Sequence, residues 1–268
     1  MSDLQLAVLA LVQGITEFLP ISSSGHLVLV PVFMRWPDQG LTIDVAVHVG
    51  TLAAVVLYFR RDVGRLFLGA WTAVRGRRGP EARLLGFWLL ASLPVMVAGF
   101  FLAKYAGEIL RSAALIGWTT LIFGLVLYLA DRFTLRIRRL EHLTMAHALV
   151  IGLLQCLALV PGTSRAGITI TAARLLGYER TEAARFSMLL SIPAILGAGV
   201  LLGERIVASG NVALGLDALV AAALAGVAAL VAISLMMAWL RRASYTPFVL
   251  YRIALGGVIL WFVYGGAL

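Results

Sequence analysis

The sequence has almost no cysteine and little charge. Of its 268 residues one is a cysteine, Cys156. An internal disulfide is therefore excluded, and so are most cysteine-based metal sites. Cys156 lies in an apolar run, where a thiol packs as a small hydrophobe. Charged residues make up 13% of the chain against 61% hydrophobic, whereas a soluble domain is about a quarter charged and about half apolar. A soluble protein with one large core does not fit that balance. Basic residues outnumber acidic ones, 22 to 13, but no basic–aromatic nucleic-acid motif accompanies them. The excess points to a membrane surface. Residues Met1 to Leu19 lack a basic leader region and a small-residue cleavage site, so they are expected to be part of the mature protein.

Long apolar runs are what the chain has instead. Six segments, at about 42–60, 83–104, 112–131, 183–203, 215–240 and 248–267, are long enough to cross a hydrocarbon layer of about 30 Å. Two further regions are apolar but interrupted. Residues 4–19 run into Pro20-Ile21-Ser22-Ser23-Ser24-Gly25-His26 before an apolar stretch resumes, and residues 145–160 run into Pro161-Gly162-Thr163-Ser164-Arg165. Each arm has about 11–16 residues, or roughly 16–24 Å as helix, too short to span. Proline, glycine and clustered serines at each join favour a broken helix. Both regions are therefore expected to be re-entrant helical hairpins, with their irregular backbone sheltered from lipid. A simple proline kink is the alternative.

The expected fold is all-α: six full transmembrane helices and two re-entrant hairpins in an inverted-topology repeat. Residues 1–134 form the first repeat and 135–268 the second, each a hairpin followed by three spans, together one membrane domain. Three spans per half is an odd number, which inverts the second half. Charge supports the layout. It places 17 basic residues on one side (the groups within 60–83, 132–139 and 174–185, with Arg241, Arg242 and Arg252) and four on the other, Arg35, Lys104, Arg111 and Arg205, with Arg165 inside the membrane. The arginine-rich side is expected to face the cytoplasm and both termini to face outward.

Ionisable groups inside a membrane are costly and mark function. Glu17, His26 and Arg165 are the deep ones in this layout. Half-helix N-termini near Ser23 and Ser164 present free N–H groups and a favourable dipole to an anion. Beside them the Arg165 guanidinium suits two-point contact with phosphate. Glu17 could hold a divalent cation, orient a base or pair with Arg165.

Here the residues resemble a known family. Gln13-Gly14-Ile15-Thr16-Glu17 is similar to the (E/Q)xxxE motif of the undecaprenyl-pyrophosphate phosphatases, the bacitracin-resistance family, and Pro20 to His26 continues the likeness. Pro161 to Thr169 resembles the family's PGxSRSxxT motif, departing at Ala166, where the second serine hydroxyl is missing. Asp44 to Thr51 and Phe186 to Pro193 extend the resemblance over nearly the whole chain. It implies a multi-pass inner-membrane phosphatase that converts a C55 isoprenyl diphosphate to the monophosphate with a divalent cation, Mg2+ or Ca2+. Such an enzyme recycles the lipid carrier for cell-wall synthesis and confers bacitracin resistance. The active site would open on the outer, periplasmic side.

With that implication the roles become specific. Glu17, Ser23, His26 and Arg165 are the catalytic candidates. Ser22, Ser24, Gly25, Gly162, Thr163, Ser164 and Arg165 are candidates for binding the phosphates, and Gln13 and Glu17, one helical turn apart, for binding the metal. Ser23 is either the nucleophile, with His26 on the same helical face as its base, or a helix cap. Attack by His26 itself, or by metal-bound water, stays open. Asp44 and His48 are expected to support or pack, Thr169, His142 and His147 to be structural, and Trp36, Trp71, Trp118 and Trp261 to lie at interfaces. Membrane lipid and an isoprenyl diphosphate are the expected partners, nucleic acid is not, and a homodimer is left open. The competing class is a transporter or flippase for a polyprenyl phosphate, since inverted repeats with broken helices also build transporters.

The charge layout is tested by cysteine accessibility in a Cys156→Ser background. Asp3→Cys should react with a membrane-impermeant maleimide on spheroplasts, and Gly76→Cys only after permeabilisation. The opposite pattern would invert the orientation.

Overall fold

In a computed structural model of the chain, the residues described are 2–37, 40–105, 112–197 and 212–265. The structure is helical throughout these segments, with no strand among the described residues and one isolated parallel bridge between Arg138 and Tyr178. In chain order the helices are α1 (Asp3–Thr16), α2 (Ser23–Met34), α3 (Gly40–Tyr58), α4 (Arg60–Val74), α5 (Pro80–Tyr105) and α6 (Ala113–Phe133). They continue as α7 (Met145–Gln155), α8 (Arg165–Leu175), α9 (Arg180–Leu189), α10 (Val212–Leu240) and α11 (Thr246–Tyr264). Helices satisfy their own backbone, which is why apolar sequence in a lipid setting takes this form.

Four of these helices are long and apolar enough to cross a membrane among the described residues: Pro80–Leu102, Ala113–Phe133, Gly215–Leu240 and Thr246–Tyr264. They make this a multi-pass membrane protein. They correspond to four of the six segments expected from hydropathy. The other two depart from a simple span. The segment at 42–60 ends as α3 at Tyr58, where the chain turns by 86° into α4. Helix α4 lies beyond the span expected at 42–60. Arg60, Arg61 and Arg65 share this helix with Phe67, Leu68 and Trp71, a basic amphipathic composition that suits a membrane surface. The segment at 183–203 is α9, a turn at Leu190 and renewed helix over 191–197, after which it leaves the described residues. Lys104 has no described side chain, and Arg111 and Arg205 lie outside the described residues.

Packing is close because small residues line the contacts. Helix α10 lies against α3 and α1, α11 against α6, and α5 against α7. At Gly50 a side-chain carbon would sit 1.9 Å from the Ala222 carbonyl oxygen, so α3 and α10 meet backbone to backbone. The central apolar cluster is built from Phe18, Val55, Ile151, Ile170, Phe186, Ile233 and Tyr245, all nearly inaccessible. It includes Phe18, just before the first interruption, and Ala166, just after the second.

The arginine-rich end is tied by buried carboxylates. Asp131 accepts from Arg174 Nε at 3.1 Å, from Arg180 Nε and Nη2 at 2.7 Å each, and from the Tyr245 backbone N–H at 3.2 Å. Asp62 on α4 accepts from Arg185 on α9 at 2.8 Å and through a second, shorter bond. Asp131 joins the end of α6 to α8, α9 and the start of α11. Removing one member of such a buried network leaves charge uncompensated and costs roughly 3–5 kcal/mol. Asp131→Ala should therefore lower the unfolding midpoint in detergent by at least about 6 °C, measured by tryptophan fluorescence. An unchanged midpoint would show that the network contributes nothing.

Candidate active site

Both interruptions are built alike. Ser22 precedes α2 and Ser164 precedes α8, and each has a positive φ, 74° and 70°. Non-glycine residues rarely adopt this region and do so at a cost of order 1–3 kcal/mol. Each serine caps the helix it precedes. Ser22 Oγ accepts from Gly25 N–H at 3.4 Å, and Ser164 Oγ from Gly167 N–H at 3.0 Å. A shift of 142 residues carries Gln13 onto Gln155, Ser22 onto Ser164 and Gly25 onto Gly167. Gln13 and Gln155 are both fully buried, and each has a side-chain oxygen with no partner. In the same register Ser23 falls on Arg165 and Glu17 on Leu159. The two interruptions share this local geometry and differ in the ionisable groups they carry.

Those reactive groups converge. Glu17 is buried at the end of α1. Its Oε1 accepts from Arg165 Nη2 at 3.1 Å, and its Oε2 from Ser23 Oγ at 2.7 Å and from Gln13 Nε2 at 2.9 Å. Arg165 is braced from the other side, because its Nη1 donates to the Ser187 carbonyl at 2.9 Å and its guanidinium lies 5.9 Å from the Phe18 ring centre. Thr169 bonds the Ser187 hydroxyl at 2.6 Å and so supports the brace. Glu17, Ser23, His48, Ser164 and Arg165 line a cavity of about 240 Å3, closed on its apolar side by Ala158, Ala194 and Ile195.

The histidine in this cavity is not the one expected. His26 turns away from Ser23: its Nδ1 meets the Ser22 carbonyl at 2.7 Å and its Nε2 the Tyr251 hydroxyl at 2.6 Å, with the two rings stacked. No hydrogen bond joins Ser23 to His26 among the described residues. Spacing i to i+3 puts two residues on one face, but α2 begins at Ser23, so Ser23 faces back to Glu17 while His26 faces α11. His48, assigned only a supporting role from sequence, places its Nε2 3.6 Å from Glu17 Oε2, and its Nδ1 is held by the Asp44 carbonyl at 2.6 Å.

The other phosphate-site candidates sit at different depths. Ser164 reaches the cavity. Ser22, Gly25, Gly162 and Thr163 are buried behind it and shape the backbone. The side chain of Ser24 lies outside the described residues. Sequence reasoning also misplaced Arg252, counted with the arginine-rich face. It is fully buried in α11, and its guanidinium donates to carbonyls of both interruptions, Pro20 in one and Gly162 and Thr163 in the other. Its place seven residues into α11, well inside an apolar run, was the one available signal.

Comparison with known proteins follows the same outline. A family model described as "Bacitracin resistance protein BacA" matches residues 6–258. The chain belongs to the bacitracin resistance protein BacA family. Among its relatives is "Undecaprenyl-diphosphatase 1" of Rhodospirillum rubrum, 52% identical over 270 residues that cover 98% of this chain and 96% of that protein. "Undecaprenyl-diphosphatase" of Dinoroseobacter shibae is 52% identical over 266 residues, covering 98% of this chain and all of the other. The protein of the same name from Alteromonas mediterranea is 44% identical over a similar span.

Within this BacA-family chain, Gly162 is the position where the interruption tolerates least. It has φ +87°, and a side-chain carbon there would stand 2.1 Å from Thr119 Oγ1 and 2.6 Å from the Ile116 carbonyl oxygen. The left-handed conformation costs a non-glycine residue roughly 1–2 kcal/mol before any clash. Gly162→Ala should lower the unfolding midpoint. Gly86→Ala, at a helical glycine with open space around it, should not. Equal midpoints for the two variants would refute the strain argument.

Proposed function

We propose that this protein is a membrane phosphatase that hydrolyses undecaprenyl diphosphate to the monophosphate and inorganic phosphate, so regenerating a lipid carrier for cell-wall synthesis and conferring bacitracin resistance. The observation that carries this reading is the Ser23–Glu17–Arg165 constellation: a hydroxyl bonded to a buried carboxylate, beside a braced guanidinium, where two half-helix N-termini meet. Transport alone needs no such hydroxyl–carboxylate pair. The names of relatives at about half identity over the full length point the same way.

The proposed architecture is six spans and two re-entrant hairpins in two inverted repeats, 1–134 and 135–268, within the inner membrane. The shared register of the two interruptions supports it. The site would face outward, with the arginine-rich end in the cytoplasm. An apolar cleft of about 700 Å3 between α1, α10 and α11, bordered by Leu19, Val231 and Trp239, is a candidate groove for the isoprenoid tail.

The chemistry follows from the donors and acceptors. The incoming diphosphate competes with Glu17 for Arg165, which turns its guanidinium onto the terminal phosphate oxygens. The free first-turn N–H groups of α2 and α8 add hydrogen bonds there. Ser23 Oγ attacks the terminal phosphorus and passes its proton to Glu17. The bond from phosphorus to the bridging oxygen breaks, and the lipid monophosphate leaves. Water then attacks the phosphoserine, releasing phosphate and restoring the hydroxyl. His26 is the other nucleophile compatible with the family motif, but its bonds to Ser22 and Tyr251 make it the weaker choice.

No group of three or more His, Cys, Asp or Glu suited to a metal is present among the described residues. The oxygen donors available still fit a hard cation carried in on the substrate. Glu17 supplies a carboxylate, and Gln13 beside it has a buried side-chain oxygen without a partner. A magnesium ion needs little more protein than this when phosphates and water complete its shell. When bound, Mg2+ or Ca2+ would neutralise phosphate charge.

Phosphate release from undecaprenyl diphosphate in detergent tests the proposal and separates hydrolysis from transport, because no gradient exists there. The parent protein should release phosphate and lose that activity to a chelator. Ser23→Ala and Arg165→Ala should each reduce kcat/KM by about 100-fold or more, and His26→Ala by less. No release by the parent would overturn the phosphatase reading, and an undiminished Arg165→Ala would overturn the clamp.

A further inference from the structure

Arg252 is a cation in the interior of the protein with no carboxylate bonded to it among the described residues. Its side chain is enclosed by α6, α8 and the two interruptions. Nε donates to the Thr120 carbonyl at 3.0 Å. Nη1 donates to the Pro20 carbonyl at 3.3 Å. Nη2 donates to the carbonyls of Gly162 and Thr163 at 3.0 Å each and of Thr119 at 3.4 Å. All of its partners are neutral backbone groups. Its positive charge is solvated but not cancelled, and such a charge is expensive to bury unless something else uses it.

The choice of carbonyls shows what that use is. Pro20 lies in the bend that leads into α2. Gly162 and Thr163 lie in the bend that leads into α8. In each case the residues that follow turn the backbone and start the helix whose N-terminus faces the cavity. One guanidinium therefore fixes the entry to both half-helices at once. Its planar fork can hold several carbonyls in fixed directions, which an ammonium cannot. Space around it is tight: a side-chain carbon at Gly167 would lie 2.7 Å from Nη1, and one at Gly124 would lie 3.0 Å from the Arg252 Cβ.

We propose that Arg252 is the positioning residue of the anion site: it locks the two interruptions together so that their helix N-termini and Arg165 converge on one phosphate group, and its uncancelled charge favours an anion there. It acts through the backbone and touches no substrate. The proposal rests on the reading of the junction as a phosphate site. It concerns anion binding, so it can be tested without turnover.

Calorimetric binding of inorganic diphosphate to detergent-solubilised protein is the primary measurement, with unfolding midpoints recorded in parallel. Arg252→Gln removes the charge and most of the clamp, and its dissociation constant should rise at least tenfold. Arg252→Lys keeps the charge but not the fork and should fall between Gln and parent. Gly167→Ala retains Arg252 but crowds Nη1 off the Pro20 carbonyl, and should weaken binding several-fold. In turnover of the lipid diphosphate, Arg252→Lys should lower kcat more than it raises KM, because misaligned N-termini hurt the transition state most. Folded Arg252 variants that bind diphosphate as the parent does would overturn the proposal, and so would losses that merely track the unfolded fraction. If neither Arg252 variant folds, unchanged binding by Gly167→Ala overturns it. A parent that binds diphosphate without hydrolysing the lipid would sink the phosphatase reading and leave this one standing.

Discussion

A helix that stops inside a buried apolar interior exposes backbone amides and carbonyls to surroundings that cannot hydrate them. That constraint governs this protein. Each interruption has amides at the start of a half-helix and carbonyls in the bend before it. The carbonyls are met from within, by Arg252 and by Thr119 Oγ1, which donates to the Pro161 carbonyl at 2.6 Å. One amide of each half-helix is met by the serine that precedes it, Ser22 or Ser164. The first residues of the two half-helices, Ser23 and Arg165, both line the cavity. The named carbonyls are satisfied by protein, which suits the anion site proposed for this junction.

Charge is arranged in the same sense. Glu17 and Arg165 neutralise one another at 3.1 Å, while Arg252 adds a positive charge behind them. In the proposed reaction, a phosphate entering the cavity would exchange one carboxylate for another anion on Arg165 and free Glu17 to take a proton. On that proposal the carboxylate is first placeholder and then base, and its bonds to both Ser23 and Arg165 suit the two roles. The buried ion networks at the far end, around Asp131 and Asp62, are of a different kind. They pair buried carboxylates directly with arginines, and what they connect is helix ends.

Much of this was legible in the sequence. Four spans and the two interruptions follow from hydropathy and from proline, glycine and serine at Pro20 to Gly25 and Pro161 to Ser164. Glu17, Ser23 and Arg165 stood out because polar groups are conspicuous in apolar runs. The 86° turn at Phe59 was not legible, since α4 is too polar for a span and too helical for a loop. The pairing of Ser23 with His26 failed because helical spacing tells which residues share a face only once the start of the helix is known. A one-residue change in where α2 begins turns its side chains by about 100°.

The sequence by itself determined the class of the protein, an all-helical membrane protein with two polar interruptions, and the family to which it belongs. Local pattern suffices for that, because hydrophobic length and motif spacing are properties of contiguous residues. Only the tertiary structure decided which side chains meet. Glu17 and Arg165 are 148 positions apart, and Arg252 is 232 positions from Pro20. His48 reaches the cavity, His26 leaves it, and Arg252 moves from the surface to the centre. Contacts between distant segments depend on how helices pack and where they break, and no pattern along the chain encodes that directly.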